Sequence, residues 1–384
     1  MAELNDKFEF EQDGKTYNLY NLPDGFVIEG DVNLSQKGLT ELPDLSKVTV
    51  KGDFYCSYNQ LTSLEGAPQK VGEHFNCEHN QLTSLKGAPH EVGGSFNCKN
   101  NQLTSLTGAP QKVGKDFECG LNQLTSLKGA PTVVGESFNC GFNQLTSLED
   151  APQVVHNLYC YCNQLTSLNG APKALSGSFD CNENQLTSLE NAPQIVRGCY
   201  NCEKNKLTSL KGAPQEVGMS FDCSENLLTS LEGAPQTVGF LNSVIGFFNC
   251  SNNKLKTLNG APQTVRTHFY CDNNQLNSLL GAPQKVGGAF GCKGNSELTS
   301  LVGISEMSED KEIYCDNMLA EKYECSKSEI GGILYKDLIE SAKYQSELSI
   351  YKIRQKKHEE KKAAQAKLKA GFEAFMKMQT EERE

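Results

Sequence analysis

The chain of 384 residues carries 36 Lys and Arg against 47 Asp and Glu, a formal charge of −11. This acidic balance argues against a general nucleic-acid binder, because neutralising phosphates requires clustered basic side chains. The length exceeds what one globular core normally supports, which favours either two domains or a repeat architecture. Gly, Asn, Leu, Ser and Cys recur at regular intervals, and this regularity favours the repeat.

Residues 1–30 contain the alternating stretch KFEFEQDGKTYNLY, with Asp13 and Gly14 at its centre. This pattern predicts a β-hairpin, which would cap the first turn of a repeat array. The opening MAELNDKFEF lacks the basic start and apolar stretch of a secretory signal. No apolar run approaches the roughly 20 residues of a membrane span. We therefore expect a soluble, cytoplasmic protein.

Residues 31–302 repeat a 21-residue unit that reads FxCxxNxLTSLxGAPxxVG. A divergent turn, with Val32 and Leu34 in the Phe and Cys positions, comes first. Twelve regular turns follow. One of them is one residue shorter than the 21-residue unit, and another is six residues longer. They align on Asn59, Asn80, Asn101, Asn122, Asn143, Asn163, Asn184, Asn205, Asn226, Asn253, Asn274 and Asn295. Such a period and order of apolar residues are typical of leucine-rich repeats.

The copies of FNCKNNQLTSLTGAP resemble the short leucine-rich repeats of bacterial and bacteriophage proteins. They are similar to the repeats of secreted bacterial effectors, which carry LTSLP in place of LTSLxGAP. The resemblance implies a leucine-rich-repeat solenoid with a curved parallel β-sheet on its concave side and a bacterial or phage origin. Gly and Pro of each GAP leave little room for helices, so the convex side should be mostly irregular or extended.

The Phe and Cys of each unit alternate along a short strand, so both should point inward and form columns. We expect the column cysteines to act as small apolar side chains. Thiols one strand spacing apart are too far apart for disulfides and lack the tetrahedral arrangement of a zinc site. No metal or cofactor is predicted. Cys162, Cys199 and Cys325 fall outside the column and are the candidate reactive thiols.

Three columns of variable residues, four, two and one positions before each aligned Asn, should be exposed on the concave face. We call them the first, second and third columns. The first is acidic, rich in amides and interspersed with tyrosines, which suits a protein partner with a basic or hydrogen-bonding surface. In turns four to six, Leu121, Phe142, Tyr159 and Tyr161 replace polar residues, and such clusters mark interaction sites. Ordinary drift between repeats is the alternative. The predicted partner-binding set is Tyr55, Tyr58, Glu118, Leu121, Phe142, Tyr159, Tyr161, Asp180, Asp222 and Tyr270.

The long turn inserts the apolar segment GFLNSVIGFF. This segment is either a second contact loop or a flap over the sheet edge. Its candidate contact residues are Phe240, Leu241, Val244 and Ile245.

After the repeats, residues 303–331 should form a C-terminal cap, with Ile313 and Cys315 in a last degenerate strand. Residues 332–384 contain strong helix formers without Pro and predict a charged helical tail. The tail carries an apolar stripe that needs a partner, on the solenoid, on another protein or through self-association. That stripe consists of Leu368, Phe372, Phe375 and Met376.

The sequence contains no signature of the common enzyme mechanisms. It therefore predicts a non-catalytic interaction scaffold, such as an effector or inhibitor that binds a host protein. A structural or adhesin component of a phage particle is an alternative. An enzyme with its active residues in 303–384 is a further one, because a ubiquitin ligase domain can follow the repeats in bacterial effectors. The short region after the repeats lacks a recognisable catalytic motif.

Overall fold

The computed structural model describes residues 8–240, 246–304, 306–307, 309–328 and 331–381. In the last helix, it describes side chains only as far as Lys367, without Ala364. The described chain winds into a solenoid, and each turn of the sequence repeat forms one coil. This confirms the predicted leucine-rich-repeat architecture.

The concave side is a sheet of 15 strands, parallel except for the last. Its register pairs each Phe with the equivalent residue of the next turn, for example Phe96 with Phe117. Its strands are Val32–Asn33, Phe54–Tyr55, Phe75–Asn76, Phe96–Asn97, Phe117–Glu118, Ser137–Asn139, Asn157–Tyr159, Phe179–Asp180, Tyr200–Asn201, Phe221–Asp222, Phe248–Asn249, Phe269–Tyr270, Phe290–Gly291, Glu312–Tyr314 and Ile333–Leu334.

The convex side is extended, as expected, and forms two parallel ladders of six two-residue strands. The first contains Val27–Ile28, Thr49–Val50, Lys70–Val71, Glu91–Val92, Lys112–Val113 and Val133–Val134. The second contains Ala174–Leu175, Ile195–Val196, Glu216–Val217, Thr237–Val238, Thr264–Val265 and Lys285–Val286. The short turn lies between them, where Val154 makes only an isolated bridge to Val133. We call this interruption the seam.

Each GAP segment bends tightly over the preceding turn. At Gly87, φ is +90°, and a Cβ there would lie 2.5 Å from the backbone of Leu64. Glycine meets both requirements most easily, and the two turns without it carry Asp150 and Asn191 at this position, with φ of +66° and +67°.

The core is a set of stacked columns. Neighbouring Phe rings lie 5.2 to 5.6 Å apart in near-parallel pairs, such as Phe75 on Phe96. The column cysteines are buried, and their thiols donate to carbonyls of the next turn, as Cys98 does to Glu118 at 3.3 Å. Burial raises the pKa of Cys140 to about 12, so the thiol stays protonated in this position.

The aligned asparagines form a buried polar ladder between the turns. The Asn143 Oδ1 accepts from the Leu124 backbone N–H at 2.9 Å. Its Nδ2 donates to the carbonyls of Cys119, Cys140 and Gly141 at 3.1 to 3.3 Å. One amide therefore satisfies backbone groups of two consecutive turns that no β-ladder pairs.

Both ends of the solenoid are covered. Strands Glu9–Gln12 and Lys15–Asn18 form the N-terminal hairpin, followed by the 3₁₀ helix Leu19–Asn21. Helices α1 (Asn317–Lys322) and α2 (Tyr335–Glu340) close the other end and precede α3 (Ala342–Glu381). No helix in the described ranges has the length and apolar character needed to cross a bilayer.

The start of α3 is attached to the solenoid. Tyr344 is buried, and the Glu347 carboxylate accepts from the hydroxyls of Ser300 and Tyr323 at 2.8 and 2.9 Å. Lys322 pairs with the same carboxylate at 2.7 Å. These contacts fix the first two turns of α3.

Replacing a ladder residue tests the role of the buried asparagines. We expect Asn143→Ala to lower the free energy of unfolding by about 2 kcal/mol, because it leaves the buried Leu124 N–H without its acceptor and removes one of the two donors from each of three carbonyls. Urea unfolding followed by circular dichroism measures the loss. The adjacent exposed Gln144→Ala is the control and should have almost no effect. Equal effects of both substitutions would contradict the ladder's role.

Tyr200 is the one tyrosine in the Phe column, and its buried hydroxyl has no partner among the described residues. We expect Tyr200→Phe to raise the midpoint temperature of unfolding. Removing an unsatisfied polar group should increase the free energy of unfolding by about 1 kcal/mol. Thermal unfolding provides the measurement. A lower midpoint would show that the hydroxyl is hydrogen-bonded.

Candidate interaction surface

The third column leaves the sheet in a left-handed backbone conformation, which the sequence analysis did not predict. Its φ values are +54° at Leu121, +55° at Phe142 and +54° at Tyr58. Asn and Gly adopt this region most readily, and other turns place Asn100, Asn252 and Asn273 there. A bulky side chain in this conformation costs on the order of 1 kcal/mol.

Turns four and five carry bulky apolar side chains in this conformation. Leu121 and Phe142 are 41% and 49% exposed. The Phe142 ring meets the Tyr161 ring edge-on, with centroids 5.5 Å apart. Backbone hydrogen bonds from Leu121 to Gly141 and from Phe142 to Tyr161 hold these turns side by side. We call Leu121, Phe142 and Tyr161 the aromatic ledge.

Glycines beside the ledge make room for Tyr161. A Cβ on Gly141 would lie 2.7 Å from the Tyr161 ring, so the ring covers bare backbone. The Tyr161 hydroxyl is 3.5 Å from Asn139 Nδ2, which donates to Glu118 Oε2 at 2.9 Å. The ledge therefore ends at a carboxylate whose pKa is raised, chiefly by burial.

Tyr159 lies deeper than the ledge. It is half-buried in the first column, paired in register with Asn139 and Asp180. Burial and then the charge of Asp180 raise the pKa of its hydroxyl. Tyr159 therefore adds a neutral hydrogen-bonding group below the exposed rings.

The amides and carboxylates of the first column support the turns locally. Asp180 Oδ1 accepts from the Asn182 backbone N–H at 3.0 Å, and Asp222 Oδ1 from Ser224 N–H at 2.9 Å. Asn76 does the same for Glu78. This geometry favours Asn or Asp whatever the partner. Asp180 and Asp222, predicted as partner-binding, therefore have a structural role as well.

The remaining predicted residues lie away from the ledge. Tyr58 is exposed and stacks on His79, with centroids 4.2 Å apart. Tyr55 donates to Asp53 at 2.7 Å, and burial and this bond raise its pKa to about 12. Tyr270 lies five turns beyond Tyr159, where it stacks on His268. The described concave surface thus has three separate aromatic clusters: the aromatic ledge, the Tyr58–His79 stack and the His268–Tyr270 stack.

Two predicted groups lie largely outside the described residues. Phe240 is 43% exposed, whereas Leu241, Val244 and Ile245 lie outside the described residues. The backbone of α3 includes Leu368, Phe372, Phe375 and Met376, but their side chains also lie outside it.

A second polar ladder, six residues before the aligned Asn, was missed. Asp53 accepts from the His74 N–H at 2.8 Å, His74 Nδ1 from Ser95 at 3.0 Å, and Asp116 from Ser137 at 3.1 Å. The residue type changes from turn to turn, which hides the pattern. What these side chains share is an acceptor atom, and that common property was the available signal.

Two of the candidate reactive thiols, Cys162 and Cys325, have raised pKa values and are not activated. Cys162 donates to Glu183 Oε2 at 3.2 Å, and burial and this bond raise its pKa to about 11. Burial likewise raises the pKa of Cys325. Across the described ranges, no three His, Cys, Asp or Glu side chains are grouped to hold a metal ion.

A parallel concave sheet, an asparagine ladder and one coil per repeat define a leucine-rich-repeat solenoid, a fold that generally serves as a protein-interaction scaffold. No family model and no curated protein matches the chain. Solved structures do. A leucine-rich repeat protein from Bacteroides eggerthii is similar with a TM-score of 0.50 and 16% identity, over 78% of this chain and 57% of that one.

Two further solved structures are similar in fold. YopM of Yersinia pestis, described as a leucine-rich effector protein, has a TM-score of 0.47 and 21% identity, covering 74% of this chain and 83% of that one. A domain of InlJ from Listeria monocytogenes, which includes a cysteine ladder, has a TM-score of 0.39 and 18% identity, covering 74% and 68%. At these identities the likeness concerns the fold alone.

The cost of the left-handed ledge can be measured. We expect Leu121→Asn to raise the free energy of unfolding by about 1 kcal/mol, because Asn tolerates this conformation better than Leu. Leu227→Asn is the control, since Leu227 is similarly exposed but has no positive φ. Urea unfolding compares the two. A gain of the same size in both variants would contradict the backbone explanation.

Proposed function

We propose that this chain is a non-catalytic scaffold that binds a protein partner through its concave face. The aromatic ledge and Tyr159 form the anchor. The observation that carries the proposal is that Leu121 and Phe142 lie exposed in a left-handed backbone conformation that favours Asn or Gly. Side chains that cost stability and remain exposed are typical of a surface used for recognition.

The ledge has the composition of an interface centre. Phe142 and Tyr161 present two rings, and Tyr is frequent among residues that dominate binding energy. Glu118 and Asn139 border the rings with polar groups. Burying the exposed parts of Leu121 and Phe142 against a partner would stabilise the complex by the hydrophobic effect.

The charge of the face favours a basic partner. Burial raises the pKa values of Glu118, Asp180, Glu203 and Asp272, and neighbouring carboxylates raise them further. A cationic side chain placed nearby would offset both effects. The repeat resemblance to bacterial effectors extends the proposal to a host protein as this partner.

Binding measurements test the anchor. Immobilised wild-type chain is used to capture a partner, whose affinity is then measured for each variant. We expect Phe142→Ala and Tyr159→Ala each to weaken binding at least about tenfold, because each removes an anchoring ring.

Ile195→Ala is the matched control, since it removes an exposed apolar side chain from the convex side. It should leave the affinity unchanged. Wild-type affinity in both the Phe142→Ala and the Tyr159→Ala variants, or an equal loss in the control, would contradict the proposal.

A further inference from the structure

Beyond the attachment of α3 at the solenoid end, its described side chains from residue 349 to residue 367 are largely exposed. Ile350 and Ile353 are 49% and 58% exposed, and the lysines that follow are exposed as well. Residues 350–367 carry seven Lys or Arg against two Glu. In the described part of the chain, none of these basic side chains forms an ion pair.

One face of this helix carries apolar residues first and basic residues further along the chain. Ile350, Ile353, Lys357 and Lys361 are spaced by three or four residues, so they lie on the same face. A surface with an apolar part and an acidic part in the same order could cover the isoleucines and pair with the lysines.

The concave face offers the matching order. Along the third column, Leu121 and Phe142 are followed by Glu183 and Glu225. Lys204 lies between these glutamates and is already paired with Glu183 at 3.1 Å and Glu203 at 3.9 Å. The region therefore keeps a net negative charge beside the apolar ledge.

The spacing of the two surfaces also agrees. Ile350 and Lys357 are about 10 Å apart along the helix, and Lys361 is about 16 Å from Ile350. Phe142 is two turns from Glu183 and four turns from Glu225, which is roughly 10 and 19 Å at the usual strand spacing. The apolar and charged groups can thus meet without distorting either element.

We propose that α3 of one copy of this chain lies along the concave face of a second copy. Ile350 and Ile353 contact Leu121 and Phe142, while Lys357 and Lys361 face Glu183 and Glu225. This inference rests on the proposed function in one respect: both use the concave face as a binding surface. A second copy is the occupant because the described side chains of residues 352–367 are largely exposed in the single chain, while their charge and apolar pattern match its concave face.

The contact joins two different surfaces of the chain. Each copy can accept one helix and supply another, so the contact generates a ring or an open row of copies. It also places the tail in competition with a basic external partner for the ledge.

Sedimentation velocity of the full chain tests the contact through charge exchange. The wild-type chain should self-associate as its concentration rises, and less so in high salt, because salt screens the ion pairs. Glu183→Lys with Glu225→Lys, and separately Lys357→Glu with Lys361→Glu, should each raise the dissociation constant at least tenfold. A chain with all four changes should return to within threefold of wild type.

The matched control is Lys70→Glu with Lys112→Glu on the convex ladder, which should leave self-association unchanged. Circular dichroism verifies that every variant is folded. A wild-type chain that stays monomeric, or association that the glutamate changes do not weaken, overturns the proposal. Failure of the four-change chain to recover also overturns it.

Partner capture separates this inference from the proposed function. If self-association fails but Phe142→Ala still loses an external partner, only the further inference is wrong. If charge exchange restores self-association and no external partner depends on the ledge, the proposed function is wrong and the inference stands.

Discussion

The structure depends on one side chain used twelve times, the buried asparagine of each regular turn. A coil closed by two-residue strands leaves many backbone groups outside the β-ladders, and burying such groups without a partner costs free energy. The carboxamide solves this because it accepts with one atom and donates with the other. It joins each turn to the one before, as Asn143 does for the turn of Cys119. The Phe, Cys and Leu columns can then stack in a fixed register.

Much of this architecture was predictable because every turn repeats the same local problem. The inward Phe, the buried Cys and the Asn ladder follow from period and alternation alone. The hairpin around Asp13 and Gly14 and the helical tail follow from local signals. The break in the convex ladders was not predictable, since a missing residue in the sequence does not reveal which hydrogen bonds are lost with it.

The surface was harder to predict for a physical reason. Variable positions were assigned to recognition. In the first column and in the second polar ladder, however, different residue types accept the same hydrogen bonds from backbone N–H groups. Nor does an Asn, a Leu and a Phe in one column reveal that its backbone is left-handed. Once that conformation is known, Asn100 is explained by the backbone, which Asn tolerates. Phe142 is not explained by the backbone and indicates another role, such as recognition.

At the seam beside Val154, the convex side of the solenoid should bend more easily than the concave side. On the convex side the ladder is interrupted there, whereas the concave sheet runs on without a gap. Bending of the solenoid should therefore concentrate at the short turn, which is the turn that carries Tyr159 and Tyr161. A partner that bends the solenoid at this turn would change the curvature of the concave face to which it binds. Partner binding and solenoid curvature would therefore be coupled at one coil.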